Sequence, residues 1–198
     1  MDTLYANLLT ELCQPEELAQ SLSFGARLSS LTGKPFVSAM MCDVPGYTWG
    51  LVPMLAQAGV KYFAMGPNAS ARIGTIHYWD NKPFYWKSQS GSCRVLCWMV
   101  DNYHHHGKLE PQILALSDKL NHSEFPYDMA CLFWVGQRSN GGVDNAPPDQ
   151  QLVAKVIDWN SKYAVPQLVI GLESEFFSQF EQRHGPQTPE FSGDITPY

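Results

Sequence analysis

The stretch Phe36-Val37-Ser38-Ala39-Met40-Met41-Cys42-Asp43-Val44-Pro45-Gly46-Tyr47-Thr48-Trp49-Gly50-Leu51-Val52-Pro53-Met54-Leu55-Ala56-Gln57-Ala58-Gly59-Val60-Lys61-Tyr62-Phe63-Ala64-Met65 decides the fold class. Residues 36–41 are an apolar run without polar alternation, which predicts a strand buried on both faces. Residues 42–50 hold Asp, Pro and two Gly and predict a loop. Leu51 to Ala58 predicts a helix, with Pro53 tolerated in its first turn and Gly59 closing it. Tyr62 to Met65 is apolar again. Strand, helix and strand at this spacing make a parallel crossover unit.

The alternation continues on both sides. Residues 3–12 predict a short helix with Leu4, Leu8, Leu9 and Leu12 on one face. Pro15-Glu16-Glu17 opens a second helix, with Pro in the first turn and acids at the positive dipole end. That helix stops at Gly33-Lys34-Pro35. After a long loop over 66–81, residues 84–86 and 94–100 predict strands joined by the polar turn Gln89-Ser90-Gly91-Ser92. Helix 109–120, strand 130–135, loop 136–149, helix 150–163, strand 167–171 and a helix from Ser174 to Gln182 follow. The fold class expected is α/β, with consecutive β/α units of a parallel barrel or open sheet. The tail from Ser192 to Tyr198 stops mid-pattern, which suggests part of a larger domain.

Composition narrows the function. Forty-four per cent hydrophobic residues against 16% charged supports a packed core. The net charge of −6, without any Lys/Arg cluster, argues against nucleic acid as partner. No apolar run approaches the length of a membrane span. Met1-Asp2-Thr3-Leu4-Tyr5 does not resemble a signal peptide. Cys13, Cys42, Cys93, Cys97 and Cys131 are an odd, scattered set that fits reduced thiols and a cytoplasmic location.

In parallel α/β folds, sites form at the carboxyl ends of strands. That rule selects loops 42–50, 66–81 and 136–149, and adds 101–107 if the preceding strand is parallel. Asp43 sits just past a strand tip, where it is either a site carboxylate or an ordinary turn residue bonded to its own loop. In 136–149, Asp149 precedes a helix and reads as its N-cap. Asp144 is then the second candidate carboxylate, with a solvated loop Asp as the alternative. His104-His105-His106 cannot all face one ion, so a polar loop or a sugar-contacting His is the reading there. His77 is equally ambiguous.

Residues 38–53, Ser-Ala-Met-Met-Cys-Asp-Val-Pro-Gly-Tyr-Thr-Trp-Gly-Leu-Val-Pro, resemble the nucleophile region of family 38 glycoside hydrolases, the α-mannosidases. The similarity continues through residues 55–63, the turn Gly66-Pro67-Asn68, Trp79-Asp80-Asn81-Lys82, and residues 192–198. It spans nearly the whole chain. The resemblance implies part of a parallel seven-stranded β/α barrel and a retaining hydrolase of α-linked mannose. Such an enzyme forms a covalent glycosyl-enzyme on one carboxylate while a second acts as acid and base. Asp43 is by resemblance the nucleophile and a ligand of a catalytic zinc ion. Asp144 is the acid/base candidate. Trp49, Asn68, Trp79 and His104 are candidate contacts to a mannose-containing oligosaccharide.

The family's zinc site also needs a His-x-Asp pair before this chain's first residue and a His beyond its last. Only Asp43 of that set is present, and a lone carboxylate holds zinc poorly. The domain expected over 1–198 is therefore an incomplete catalytic barrel, inactive as an isolated chain. A non-catalytic carbohydrate-binding remnant using Trp49, Trp79, Trp86 and the His cluster is the alternative. A metal-dependent carbohydrate deacetylase ranks last, since its Asp and paired His are not seen.

Overall fold

The computed structural model describes residues 3–68, 78–79, 81–100, 103, 105–138, 141–143 and 146–196. Contacts divide the chain into two compact units, residues 1–103 with 173–198, and residues 104–172.

The first unit is a five-stranded sheet with helices on both faces. Its strands are β1 (Ser38–Val44), β2 (Tyr62–Pro67), β3 (Lys82–Lys87), β4 (Arg94–Met99) and β5 (Glu190–Phe191), in the order β1-β2-β4-β3-β5. Pairs β1/β2 and β2/β4 are parallel, β3/β4 is an antiparallel hairpin, and β3/β5 is parallel. The sheet is thus mixed and mostly parallel. Helices α1 (Pro15–Thr32) and α2 (Leu51–Gln57) cover one face. There Leu18, Leu22, Leu51, Val52 and Leu55 pack on Met41, Phe63, Cys97 and Trp86. A further helix, α5 (Glu173–His184), covers the other face. Phe177 stacks on Tyr62 with centroids 5.4 Å apart, and Phe176 and Phe180 meet the Trp98 ring edge-on. Burial on both faces explains why the strands lack polar alternation.

Local chemistry sets the helix ends. The side chains and backbones of Gln14 and Glu17 form a reciprocal capping box at the start of α1, and Gly33 ends it in the left-handed conformation, φ 66°. Glu181 of α5 accepts hydrogen bonds from the Tyr62 and Tyr85 hydroxyls at 3.0 and 2.7 Å, tying helix to sheet. Burial and the Glu181 carboxylate push both phenols above their ordinary range, Tyr85 most strongly.

The second unit holds α3 (Leu109–His122) and α4 (Leu152–Lys162), packed through Leu109, Ile113 and Trp159. Asp149 accepts from Trp134 Nε1 at 2.9 Å, Lys155 Nζ at 2.6 Å and the Gln151 N–H at 2.9 Å. Burial alone raises the Asp149 pKa, but these donors outweigh it and hold the carboxyl below its ordinary range. Asn160 clamps the backbone of Leu168 through both its amide atoms.

Three expected elements differ. Of residues 3–12, only Thr10–Leu12 is helical, as a single 3-10 turn. The segment instead serves the edge of β1: the Thr3 N–H and Oγ1 donate to Ser38 O, and Asn7 Oδ1 accepts the Cys42 N–H. An uncovered strand edge offers more hydrogen bonds than a short isolated helix repays. Segments 130–135 and 167–171 form no strand beyond one bridge between His105 and Trp134. Apolar runs become strands only with a neighbour to pair with, and here Val169 and Ile170 are exposed. The α/β class therefore holds, with five strands described rather than seven. Among the described residues, no helix is long and apolar enough to cross a membrane.

Candidate active site

Strands β1, β2 and β4 run parallel, so their carboxyl ends lie together. Asp43 is the next-to-last residue of β1, Asn68 follows β2, and Tyr103 lies a few residues past β4. The three side chains meet. Asn68 Nδ2 donates to Asp43 Oδ1 at 2.8 Å, and the Tyr103 hydroxyl donates to the same oxygen at 2.6 Å. Two donors occupy Oδ1 and fix the plane of the carboxylate. Among the described residues, both donors to this carboxylate use Oδ1 and none is placed on Oδ2.

The backbone is shaped for this contact. Asp43 has φ 59°, a left-handed conformation that few non-glycine residues adopt. The β1/β2 register shifts between Cys42 and Val44, so Asp43 is the bulged residue. Bulges commonly re-aim side chains beside active sites. Asp43 is exposed, so its carboxylate faces outward from the strand tip. Gly66 is required opposite it. A Cβ there would stand 2.6 Å from Tyr103 Cβ and 2.7 Å from Cys42 Sγ.

The structure treats the other sequence candidates differently. Asn68 joins Asp43 directly. Trp49 is half-buried, packs on the core, and spends its indole N–H on Lys87 O at 2.6 Å. Trp79 is 4% exposed and packed against Phe84 and Phe191, which makes it a core residue. Asp144, His104 and His77 lie outside the described residues. His105 is buried in the second unit, with Nδ1 2.9 Å from Gln112 Oε1. Among the described residues, no three His, Cys, Asp or Glu gather to hold a metal ion. Asp43 Oδ2 offers one ligand oxygen, so these residues do not make a zinc site by themselves.

The profile described as "Glycosyl hydrolases family 38 N-terminal domain" matches residues 10–198. The chain belongs to that family. Among solved structures, this family 38 chain is similar to an α-mannosidase from Enterococcus faecalis V583, with TM-score 0.73 and 13% identity over 98% of this chain and 22% of that one. It is also similar to a family 38 protein from Enterococcus faecalis, with TM-score 0.55 and 14% identity over 96% of this chain and 19% of that one. A 4-α-glucanotransferase from Thermococcus litoralis matches with TM-score 0.54 and 14% identity, over 100% of this chain and 28% of that one. At such identities the likeness is one of fold. The chain spans about a fifth of the length of the two Enterococcus proteins. A comparison with curated proteins found no match.

Within the family 38 fold, two residues at this end of the sheet were not singled out from sequence. Tyr103 is one. Its only signal was its place in the loop after β4, and its contact with Asp43 depends on the missing side chain of Gly66. Tyr78 is the other. β3 runs against β4, so the start of β3 lies at the site end. Tyr78, just before it, is 65% exposed and rests edge-on upon Trp79, while Lys82 Nζ stands 5.1 Å from its ring centroid. The aromatic face open to solvent here is Tyr78 rather than Trp79.

Proposed function

We propose that the chain carries the nucleophile site of a retaining α-mannoside hydrolase, with Asp43 as the attacking carboxylate. The observation that carries this reading is the division of labour within Asp43: Oδ1 accepts from both Asn68 and Tyr103, and Oδ2 accepts from neither. A nucleophile must be oriented before it reacts, and a carboxylate held through one oxygen meets that need. Oδ2 attacks the anomeric carbon, and the leaving oxygen takes its proton from a second carboxyl group. Asp144 is the residue assigned that proton transfer. Tyr78 supplies an aromatic face for a sugar ring of the glycan.

A zinc ion at Asp43 would bind and orient sugar hydroxyls. Among the described residues, Asp43 would offer such an ion its one carboxylate. A lone carboxylate holds zinc poorly, and on that ground the isolated chain is expected to bind α-mannosides without turning them over. Membership of a glycosidase family supports a glycan as the ligand.

The experiment joins two measurements on the full chain. Methyl α-mannoside is titrated into isotope-labelled protein while the Asp43, Asn68 and Tyr103 resonances are followed. A chromogenic α-mannoside is assayed with added zinc. Shifts at these three residues without turnover are expected. Unmoved resonances overturn the sugar site. Turnover that disappears in Asp43→Asn overturns inactivity and leaves the nucleophile assignment standing.

A further inference from the structure

The segment Gly193–Thr196 lies against the loop that follows Asp43. Tyr47 and Ile195 exchange both backbone hydrogen bonds, at 2.9 and 3.0 Å, as an isolated antiparallel bridge. Both side chains are fully buried. Next to this bridge, Asp194 Oδ1 accepts the Trp49 N–H at 2.7 Å and the Thr48 hydroxyl at 3.4 Å. The segment is itself anchored, since Trp86 Nε1 donates to Gly193 O at 2.8 Å.

The clamped loop reaches back to the strand tip. The Tyr47 hydroxyl donates to Met41 O at 3.0 Å, two residues before Asp43. On the other side, the Asn68 N–H donates to Val44 O at 2.9 Å. Asp43 stands between these two ties in its left-handed conformation. A residue stays in such a sparsely populated region only when its surroundings over-determine it. The loop from Pro45 to Trp49 is one side of those surroundings, and Asp194 holds the end of that loop farthest from Asp43.

We infer that Asp194 is a positioning residue for Asp43. It accepts the backbone N–H of Trp49, fixes the 45–49 loop, and thereby keeps Asp43 aimed with Oδ1 on Asn68 and Tyr103. It touches no substrate. The functional meaning rests on the reading of Asp43 as the nucleophile, while the structural coupling can be measured without it. A short charge-assisted bond to a backbone N–H suits this task, because an N–H cannot move without moving the chain.

The test compares Asp194→Ala with Asp194→Asn in the full chain. The amide keeps an acceptor oxygen for Trp49, and the methyl group does not. In Asp194→Ala, the Asp43 and Tyr103 resonances are expected to leave their wild-type positions, while those of Trp98 and Phe180 on the opposite face of the sheet stay. In Asp194→Asn, the Asp43 and Tyr103 resonances are expected to return to wild type. The mannoside titration should weaken by about tenfold in the Ala variant alone, since small misplacements of a site are amplified in its function. Wild-type Asp43 and Tyr103 resonances in Asp194→Ala overturn the inference. So does displacement of Asp43 in Asp194→Asn. Asp194→Ser, too short to reach Trp49, takes the place of the Ala variant if that one does not fold, and the same outcomes decide. If no mannoside binds the wild-type chain, the sugar reading fails, and the resonance comparison still decides the positioning.

Discussion

The Tyr103 hydroxyl stands 2.6 Å from Asp43 Oδ1, and the absence of a side chain on Gly66 makes that approach possible. Two changes separate the parts. Tyr103→Phe removes the donor and leaves the ring, so the carboxyl carbon resonance of Asp43 should move while the fold is kept. Gly66→Ala introduces a methyl group where no space exists. We expect a loss of about 1–3 kcal/mol in urea unfolding, together with loss of the Tyr103 contact. A Gly66→Ala protein as stable as wild type, with Asp43 undisturbed, would contradict the packing argument.

Tyr85 gives a pH dependence with a definite sign. Its folded pKa is raised by burial first and by Glu181 second. In the unfolded chain a tyrosine ionises near pH ~10. Stability from this residue is therefore full below about pH 10 and is lost as pH rises from there through the higher folded value. Tyr85→Phe should flatten that alkaline loss and cost stability at neutral pH by about 0.5–1.5 kcal/mol, for the hydrogen bond to Glu181. Chemical denaturation at a series of pH values from neutral to alkaline checks both parts.

Asp149 has the opposite sign. Its folded pKa is depressed because Lys155, Trp134 and the Gln151 N–H favour the charged form over the cost of burial. The stability it contributes is present above the unfolded value, about 3.9, and is lost as pH falls from there through the lower folded value. Asp149→Asn should remove this acid sensitivity and lower stability at neutral pH by an amount on the order of 1 kcal/mol. Hydrogen exchange of α3 and α4 amides reports it for the second unit.

Phe180 tests the two-faced core. It is fully buried, with the Trp98 ring edge-on at 5.3 Å. Phe180→Ala should cost about 3–5 kcal/mol, as for an aromatic residue removed from a packed interior. A similar cost is expected for Leu55→Ala on the other face, at about 2–5 kcal/mol. If only one substitution is costly, the sheet is not covered equally on both sides.

The strand-helix-strand unit was legible because its signals are local. Apolar runs, Pro53 in a first turn and Gly33 or Gly59 after a last one act within a few residues. Asp43 was legible as a strand-tip residue for the same reason. The missed features depend on distant partners. Residues 3–12 carry a helical leucine spacing, but the edge of β1 competes for their hydrogen bonds. Residues 167–171 carry a strand's composition and have no strand beside them. Trp79 has the chemistry of a sugar platform, and its burial comes from Phe84 and Phe191, a packing that no local pattern announces. Tyr103 needed Gly66, and no periodicity in the sequence links the two.

The first unit is discontinuous, closed by residues 173–196 after the whole second unit has intervened. On a ribosome, this order matters. Strands β1 to β4 and the carboxylate at the tip of β1 emerge long before α5, β5 and Ile195. Through that interval Trp98 has no Phe176 or Phe180 against it, Tyr47 has no backbone partner, and the face that α5 later covers is open to other nascent chains. Contacts of such long sequence separation form slowly, and exposed apolar sheet faces favour aggregation. Newly made chains should therefore depend on chaperones until residue 195 is free of the exit tunnel, and only then should the Asp43 loop settle.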